Sequence, residues 1–303
     1  MSKKKSTLGI DIGNKKTKIV QLAFSGHAQP DLVLCELLDT GIADESFQAN
    51  MKAFLSDAKL KGAMAAMSFD DDSMVIRKFE FPKMPEPDLI EAIKWNLRDH
   101  VGGDIESFTI KYSKISEIEE GDLVKMEVAV YAVNRNAVLE RKLQIEQTGL
   151  VIYHVEPCTV TLASALDRCL PDEENFHAGL DIGYLNTRFY VIGKRNFIFS
   201  RPIGGICYEQ YEKQPDDFHQ RLAIEVQKSI DTFQVNFNMQ QIQSLSLSGA
   251  GALIDDLATY LKTNMGLETA NLNPFSTVSV GDKLGALRPE LFAQAVSLAY
   301  LQP

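Results

Sequence analysis

A ten-residue pattern occurs twice in this chain and constrains it more than any other feature. Residues 9–18 read GIDIGNKKTK and residues 179–188 read GLDIGYLNTR. Both fit G-[I/L]-D-I-G-x-x-x-T-[K/R]. Apolar residues flank each copy: Leu8 and Ile19-Val20 around the first, Ala178 and Phe189-Tyr190-Val191-Ile192 around the second. That layout predicts strand, tight turn, strand. The separation is too long for a solenoid period, and it suits two similar lobes. A length of 303 residues agrees with about two domain-sized units.

The repeated residue types point to phosphate. A glycine after the aspartate allows close backbone approaches. The turn then aims several N–H groups at one point, a nest that suits phosphate oxygens. An aspartate at a strand end can hold Mg²⁺ directly or through water, beside phosphates. Taken singly, each copy also reads as a hairpin whose Asp and Thr bond their own turn. Taken together, they read as a clamp on a triphosphate, with Asp11 and Asp181 organising the metal.

The 41 acidic residues outnumber the 31 basic ones, for a formal charge of −10. An acidic surface repels phosphate backbones unless its cations cluster. The tight cluster Lys3-Lys4-Lys5 reads as a solvated tail, so nucleic acid is not an expected partner. Cys35, Cys158, Cys169 and Cys207 show neither C-x-x-C spacing nor a disulfide framework. The five histidines are isolated. No apolar run approaches the ~18 residues of a membrane span, and no signal-peptide core follows the first residues. The expectation is a soluble cytoplasmic protein.

Other segments place the remaining elements. Ser46–Lys59 has helical spacing through Phe47, Met51, Phe54, Leu55 and Ala58. Ala63–Phe69 and Val75–Phe81 read as strands on either side of the acid run Asp70–Asp72, itself a solvated turn. Asp88–Asp99 reads as an amphipathic helix, with the single Trp95 off its apolar stripe and expected against its own subdomain. Strands over Phe108–Ile115 and Leu123–Val133 around the acidic turn Glu117–Asp122, then a helix from Asn134, make residues 82–149 a small α+β unit. In Val155-Glu156-Pro157 a carboxylate ends a strand just before a helix. Glu156 either orients an attacking water or simply stabilises the helix start. Asp216–Asn238 predicts a long helix with Leu222, Val226, Ile230, Phe233 and Phe237 on one face and Glu225, Lys228 and Ser229 on the other. Leu245–Gly251 (LSLSGAG) reads as a strand running through a glycine-rich turn into a helix over Ile254–Leu261.

In order along the chain, the first D-I-G hairpin, the V-E-P helix start, the second D-I-G hairpin and L-S-G-A-G resemble the actin/Hsp70/sugar-kinase superfamily. Within it the chain most resembles the PilM family of actin-like type IV pilus assembly proteins. The likeness rests on LGIDIGNKKTKIVQL (8–22), VIRKFEFPKM (75–84), HVEPCTVTLASAL (154–166), SRPIGG (200–205), EVQKSIDTF (225–233), LSLSGAG (245–251) and NLNPF (271–275). It implies an α/β, actin-like (ribonuclease H-like) two-lobed fold. Lobe I would span residues 1–173, with the inserted unit at about 82–149, and lobe II residues 174–303.

The resemblance also implies ATP and Mg²⁺ as ligands. Gly13, Asn14, Lys15, Lys16 and Thr17 on one side, and Gly183, Tyr184, Asn186 and Thr187 on the other, would hold phosphates. Gly204, Gly205, Glu225, Lys228, Ser248, Gly249, Ala250 and Gly251 would frame the nucleoside. Asn14-Lys15-Lys16 departs from the small residues usual in the first loop, Ala250 stands where glycine is common, and the stretch after Gly205 is short. The implied role is a cytoplasmic scaffold peripheral to the bacterial inner membrane. It would dock the cytoplasmic tail of a PilN-like protein near the inserted unit, with Phe79, Phe81 and Trp95 as candidate groove residues. Other pilus assembly proteins and self-association are further implied partners, and hydrolysis in the family looks slow or regulatory. Two other readings stand beside it: a small-molecule kinase of the superfamily, and an interaction module with a decayed nucleotide site.

Overall fold

The computed structural model describes residues 5–26, 28–71, 74–120, 123–172, 174–193, 196–281, 285 and 287–303. Lys3-Lys4, His27, Asp72 and the Gly121-Asp122 end of the acidic turn lie outside them. Along the chain come β1 (Lys5–Ile12), β2 (Thr17–Phe24), β3 (Asp31–Leu38), α1 (Phe47–Asp57) and β4 (Met64–Phe69), then β5 (Val75–Pro82), α2 (Glu86–Leu97), β6 (Phe108–Glu120), β7 (Leu123–Asn134) and α3 (Arg135–Glu146). There follow β8 (Val151–Pro157), α4 (Cys158–Cys169), β9 (Phe176–Ile182), β10 (Thr187–Gly193), β11 (Asn196–Ile203), α5 (Tyr208–Lys213), α6 (Phe218–Asn236), β12 (Ile242–Ser248), α7 (Leu257–Met265), β13 (Glu268–Asn271) and α8 (Ala293–Ala299).

Two compact units result, one from residues 1–68 with 145–303, the other from Phe69–Gln144. The larger unit holds two five-stranded sheets of matching order, β3-β2-β1-β4-β8 and β11-β10-β9-β12-β13. In each, the first three strands in sequence are antiparallel neighbours and the fourth runs parallel to the first: β1 pairs β2 and β4, and β9 pairs β10 and β12. The sequence repeat is thus one hairpin of a repeated sheet.

Alternation along β1 and β2 sends side chains to opposite faces. Leu8, Ile10 and Ile19 pack with Phe47, Met51 and Leu55 of α1. Val20 and Leu22 pack on the other face with Phe275, Phe292, Ala295 and Val296. Phe275, Val278, Phe292 and α8 therefore complete the first sheet, although they follow the last strand of the second. Gly9 permits this: a Cβ there would lie 2.1 Å from the Ala295 carbonyl oxygen and 2.4 Å from the Ala299 nitrogen, so only a hydrogen lets α8 lie against the strand. In the second sheet, Phe233 of α6 meets Phe176 and Phe199 at ring-centre distances of 5.6 and 5.9 Å. Each side chain of this size contributes about 1.5–3 kcal/mol when fully buried. The stripe read for α6 is this buried face, but Ser229 belongs to it as well and is fully buried.

The smaller unit is an antiparallel sheet in the order β5-β7-β6, with α2 supplying Leu89, Ile93 and Leu97 to a core with Phe81, Val128 and Val130. Pro87 sits in the first turn of α2, where a missing N–H costs no helical bond, and the acidic Glu86 and Asp88 there and Lys94 in the last turn match the helix dipole. Trp95 does not pack into its subdomain as its size suggests. It is 70% exposed, with the Arg98 guanidinium 5.0 Å from its ring centre.

Candidate functional site at the paired turns

The repeated hairpins build the same small structure twice. Gly13 N–H donates to the Lys16 carbonyl (3.0 Å), and Gly183 N–H to that of Asn186 (2.8 Å). Each glycine's own carbonyl accepts an amide from just beyond the third strand of its sheet, Ile42 at 3.0 Å and Tyr208 at 3.0 Å. The turn carbonyls are thereby engaged. Among the described residues, the amides of Asn14, Lys15, Tyr184 and Leu185 meet no protein acceptor.

The acids stand at the same place in both sheets. Asp11 faces Lys18 across its hairpin and Asp181 faces Arg188. Lys18 Nζ lies 2.9 Å from Asp11 Oδ2, and both side chains are largely buried. A serine from the fourth strand serves each acid: Ser68 Oγ donates to Asp11 at 3.4 Å and Ser248 Oγ to Asp181 at 2.7 Å. Burial pushes the Asp181 carboxyl above its ordinary value. The Ser248 hydrogen bond opposes this, the charge of Asp11 adds to it, and Lys18 and Arg188 work against it. The two acids therefore lie within each other's field, with Lys18 acting on both. A further link joins the turns themselves, since Lys15 Nζ stands 5.4 Å from the centre of the Tyr184 ring.

The remaining sequence-derived residues fall into three groups. Ser248 and Gly249 join the acids. A Cβ on Gly249 would lie 2.6 Å from the Ile182 carbonyl oxygen and 3.0 Å from Asp181 Oδ1, and its φ is +78°. A Cβ on Gly251 would lie 2.3 Å from Ile182 Cβ. These glycines are required by packing on β9, whatever else approaches them. The turn does not open the helix read over Ile254–Leu261. Ala250–Leu253 form a single 3₁₀ turn, and α7 begins only after Asp256, whose left-handed backbone (φ 58°) interrupts the helix.

Glu225 and Lys228 form a second group with Arg201. Lys228 Nζ is 2.6 Å from Glu225 Oε1, Arg201 Nη2 is 3.0 Å from Glu225 Oε2, and Arg201 Nη1 reaches Ser229 Oγ at 2.7 Å. Hydrogen bonds from Lys228 first and Arg201 second hold the Glu225 carboxyl below its ordinary value. Gly204 and Gly205 lie beside open space, Gly205 with φ +70°. The stretch after Gly205 forms the short α5, whose Tyr208 and Glu209 amides cap Gly183 and Tyr184.

Glu156 lies at the end of β8, where it shares a 2.6 Å hydrogen bond with His154. Arg188 reaches Cys158, two residues further on. Lys16 pairs with Asp39 at 2.9 Å. Thr17 Oγ1 donates to the Thr40 carbonyl (2.8 Å), whereas the buried Thr187 Oγ1 meets no partner.

Lys18, Arg188 and Ser68 are absent from the sequence-derived set. The signal for the first two is the basic tenth residue of the repeat, and for Ser68 its place at the end of an apolar strand, as in the LSLS of β12. The candidate groove residues fare differently: Phe81 is 6% exposed and belongs to the core of its unit.

The donor set fits a hydrated divalent cation with phosphates. Two carboxylates lie within each other's field, and a buried threonine hydroxyl at the second turn is unsatisfied. Among the described residues no group of three or more His, Cys, Asp or Glu side chains gathers into a metal cage. Mg²⁺ needs none, because it keeps waters and takes one or two carboxylates beside phosphate oxygens. Among the described residues no helix is long and apolar enough to cross a membrane.

No protein-family model matches the sequence, and no curated protein matches it either. Among solved structures the chain is similar to one from a PilM-PilN type IV pilus biogenesis complex, with a TM-score of 0.81 and 20% identity over 97% of both chains. It is also similar to the ethanolamine utilization protein EutJ from Carboxydothermus hydrogenoformans, with a TM-score of 0.50 and 13% identity over 97% of this chain and 89% of that one. The fold is the α/β actin-like class, PilM-like along nearly the whole chain.

Proposed function

We propose that this chain is an ATP-binding assembly scaffold of a type IV pilus or related secretion system. The observation that carries the reading is the pair of turns that meet around Asp11, Asp181 and Lys18. In it, the free amides of Asn14 and Lys15 and of Tyr184 and Leu185 hold phosphates, Thr187 offers its hydroxyl, and Lys15 moves from the Tyr184 ring to the anion. Bound Mg²⁺ would neutralise phosphate charge. Asp11 and Asp181 would hold it, and Ser68 and Ser248 orient the two carboxylates. Glu225, Lys228 and Arg201, with Gly204, Gly205 and the Ser248–Gly251 turn, line the nucleoside side. Glu156, held by His154, orients water in a slow turnover.

By likeness to the PilM-PilN complex, the scaffold docks the cytoplasmic tail of an inner-membrane PilN-like protein, and so works at the cytoplasmic face of that membrane. The two lobes divide near residue 173, except that Phe275, Phe292 and α8, which cover the first sheet, go with the first lobe; the α+β unit is the insertion. Nothing in the site favours a small-molecule kinase.

Calorimetric titration of the purified protein with ATP and Mg²⁺ tests the nucleotide reading. Saturable heat is expected, lost or much reduced in Asp11→Ala. Identical traces from the two proteins, or no heat from either, would remove it.

A further inference from the structure

The α+β unit holds a groove that the nucleotide reading does not use. Its volume is about 600 Å³, and it runs between α2 and β6. Its apolar lining comes from Ile90 and Ile93 of α2, Ile105, and Phe108 and Ile110 of β6. The strand beside it is special. Among the described residues β6 pairs only with β7, so the order β5-β7-β6 leaves its other edge open. An open edge presents unpaired backbone donors and acceptors to any extended chain that arrives.

Charge narrows what can arrive. The acids of the groove are already engaged: Glu86 accepts the Tyr112 hydroxyl at 3.0 Å, and Glu106 lies 3.9 Å from Lys94. Two cations lack an acidic partner among the described residues: Lys111 and Arg135 line the groove and both are exposed, and Arg135 Nη2 donates only to the Phe108 carbonyl, at 3.4 Å. On a chain of net charge −10 this is a local inversion of sign.

Burial along β6 gives the register. Phe108 is buried, Thr109 exposed, Ile110 half-buried, Lys111 exposed and Tyr112 half-buried. One face of the strand is therefore apolar and turned to the α2 side, and the other is polar and carries Lys111. A strand added at this edge sets its own alternate side chains beside those of β6. Apolar residues would lie next to Ile110 and Tyr112, and the intervening residues next to Lys111.

We propose that this groove docks an extended segment of a partner protein in which carboxylates alternate with aliphatic residues, bound by strand addition to β6. The site goes beyond the nucleotide-scaffold reading. It lies within one compact unit and does not depend on the turns around Asp11 and Asp181.

The test uses the full-length protein and two capped, fluorescein-labelled decapeptides. One alternates glutamate with valine and leucine, and the other carries lysine in place of every glutamate. Anisotropy titrations should show saturable binding of the glutamate peptide and at least about tenfold weaker binding of the lysine peptide. The double variant K111E/R135E should invert that order, which also shows that it is folded. ATP titration is run in parallel and should be unchanged by either peptide or by the double variant. Equal binding of both peptides, or of neither up to millimolar concentration, overturns the proposal. So does sedimentation showing a dimer that the double variant dissolves, since the occupant of the edge would then be a second copy of this chain.

Discussion

Gly9 and Gly179 hold the same place in the repeated pattern and face Val20 and Tyr190 across their hairpins. Beside Gly9 the space of the missing side chain is taken by the backbone of α8. Beside Gly179 it is taken by the Tyr190 ring, whose Cζ would lie 2.0 Å from an added Cβ. The same asymmetry runs through the pattern. Asp11 holds its own cation, Lys18, at 2.9 Å, while Arg188 reaches Cys158 and Asp181 accepts the Ser248 hydroxyl. Thr17 is satisfied by Thr40 and Thr187 by nothing. Repetition preserved the frame of the turn, and the surroundings gave each copy a different share of the work: the first is tied into the fold, the second left with unmet polar capacity.

The largest effects should come from the glycines. Gly9→Ala sets a methyl against backbone that no rotamer change can relieve, and should cost about 3 kcal/mol or more. Gly179→Ala meets a side chain, so a second substitution, Tyr190→Val, should restore part of the loss. Urea denaturation of the two single variants and the double variant decides it. If Tyr190→Val rescues neither glycine variant, or if Gly9→Ala is harmless, the contrast fails.

The acids come next. Asp11→Asn strands the Lys18 ammonium in a mostly buried place, and an unpaired buried charge of this kind costs roughly 2–3 kcal/mol after allowance for its partial exposure. Asp181 is different, because burial and the charge of Asp11 already disfavour its ionised form. Asp181→Asn should leave stability unchanged or raise it. Both substitutions should weaken Mg²⁺-ATP at least about tenfold, or ~1.4 kcal/mol. Equal destabilisation by the two would erase the distinction between a structural acid and a ligand-directed one.

The threonines give the smallest and most discriminating effect. Thr17→Val leaves the Thr40 carbonyl without its donor, at about 1–2 kcal/mol. Thr187→Val removes a hydroxyl that has no partner, so melting should move within about 0.5 kcal/mol while nucleotide affinity falls. A Thr187→Val protein that melts early but binds normally would assign the hydroxyl to the fold.

Much of this frame is legible in the amino-acid sequence, because the repeat encodes it. A period-two apolar pattern broken by G-x-x-x-T is strand, turn and strand in any context, and α6 declares its buried stripe through Leu222, Val226, Ile230 and Phe233. Pairing across the sheets is what stays hidden. No local pattern says that Ser68 reaches Asp11, or that Phe275, Phe292 and α8 belong to the first sheet, since those contacts join positions far apart in the chain. Helical spacing assigns Ser229 to the outer face of α6. The side chain of Arg201, from the neighbouring strand, supplies the partner that allows it inside. Trp95 departs for the opposite reason: its size suggests burial, and the cover it finds is the Arg98 guanidinium.

The late return of Phe275, Phe292 and α8 to the first sheet has a consequence for synthesis. Val20, Leu22 and Leu32 leave the ribosome long before Phe292 and Val296, the residues that cover them. Through most of translation that side of the nascent sheet has no native cover, and long-range closure of this kind is slow. A ribosome-stalled chain ending near residue 270 should therefore bind a chaperone holdase and be cut readily by protease, and one extended through Leu301 and clear of the exit tunnel should do neither.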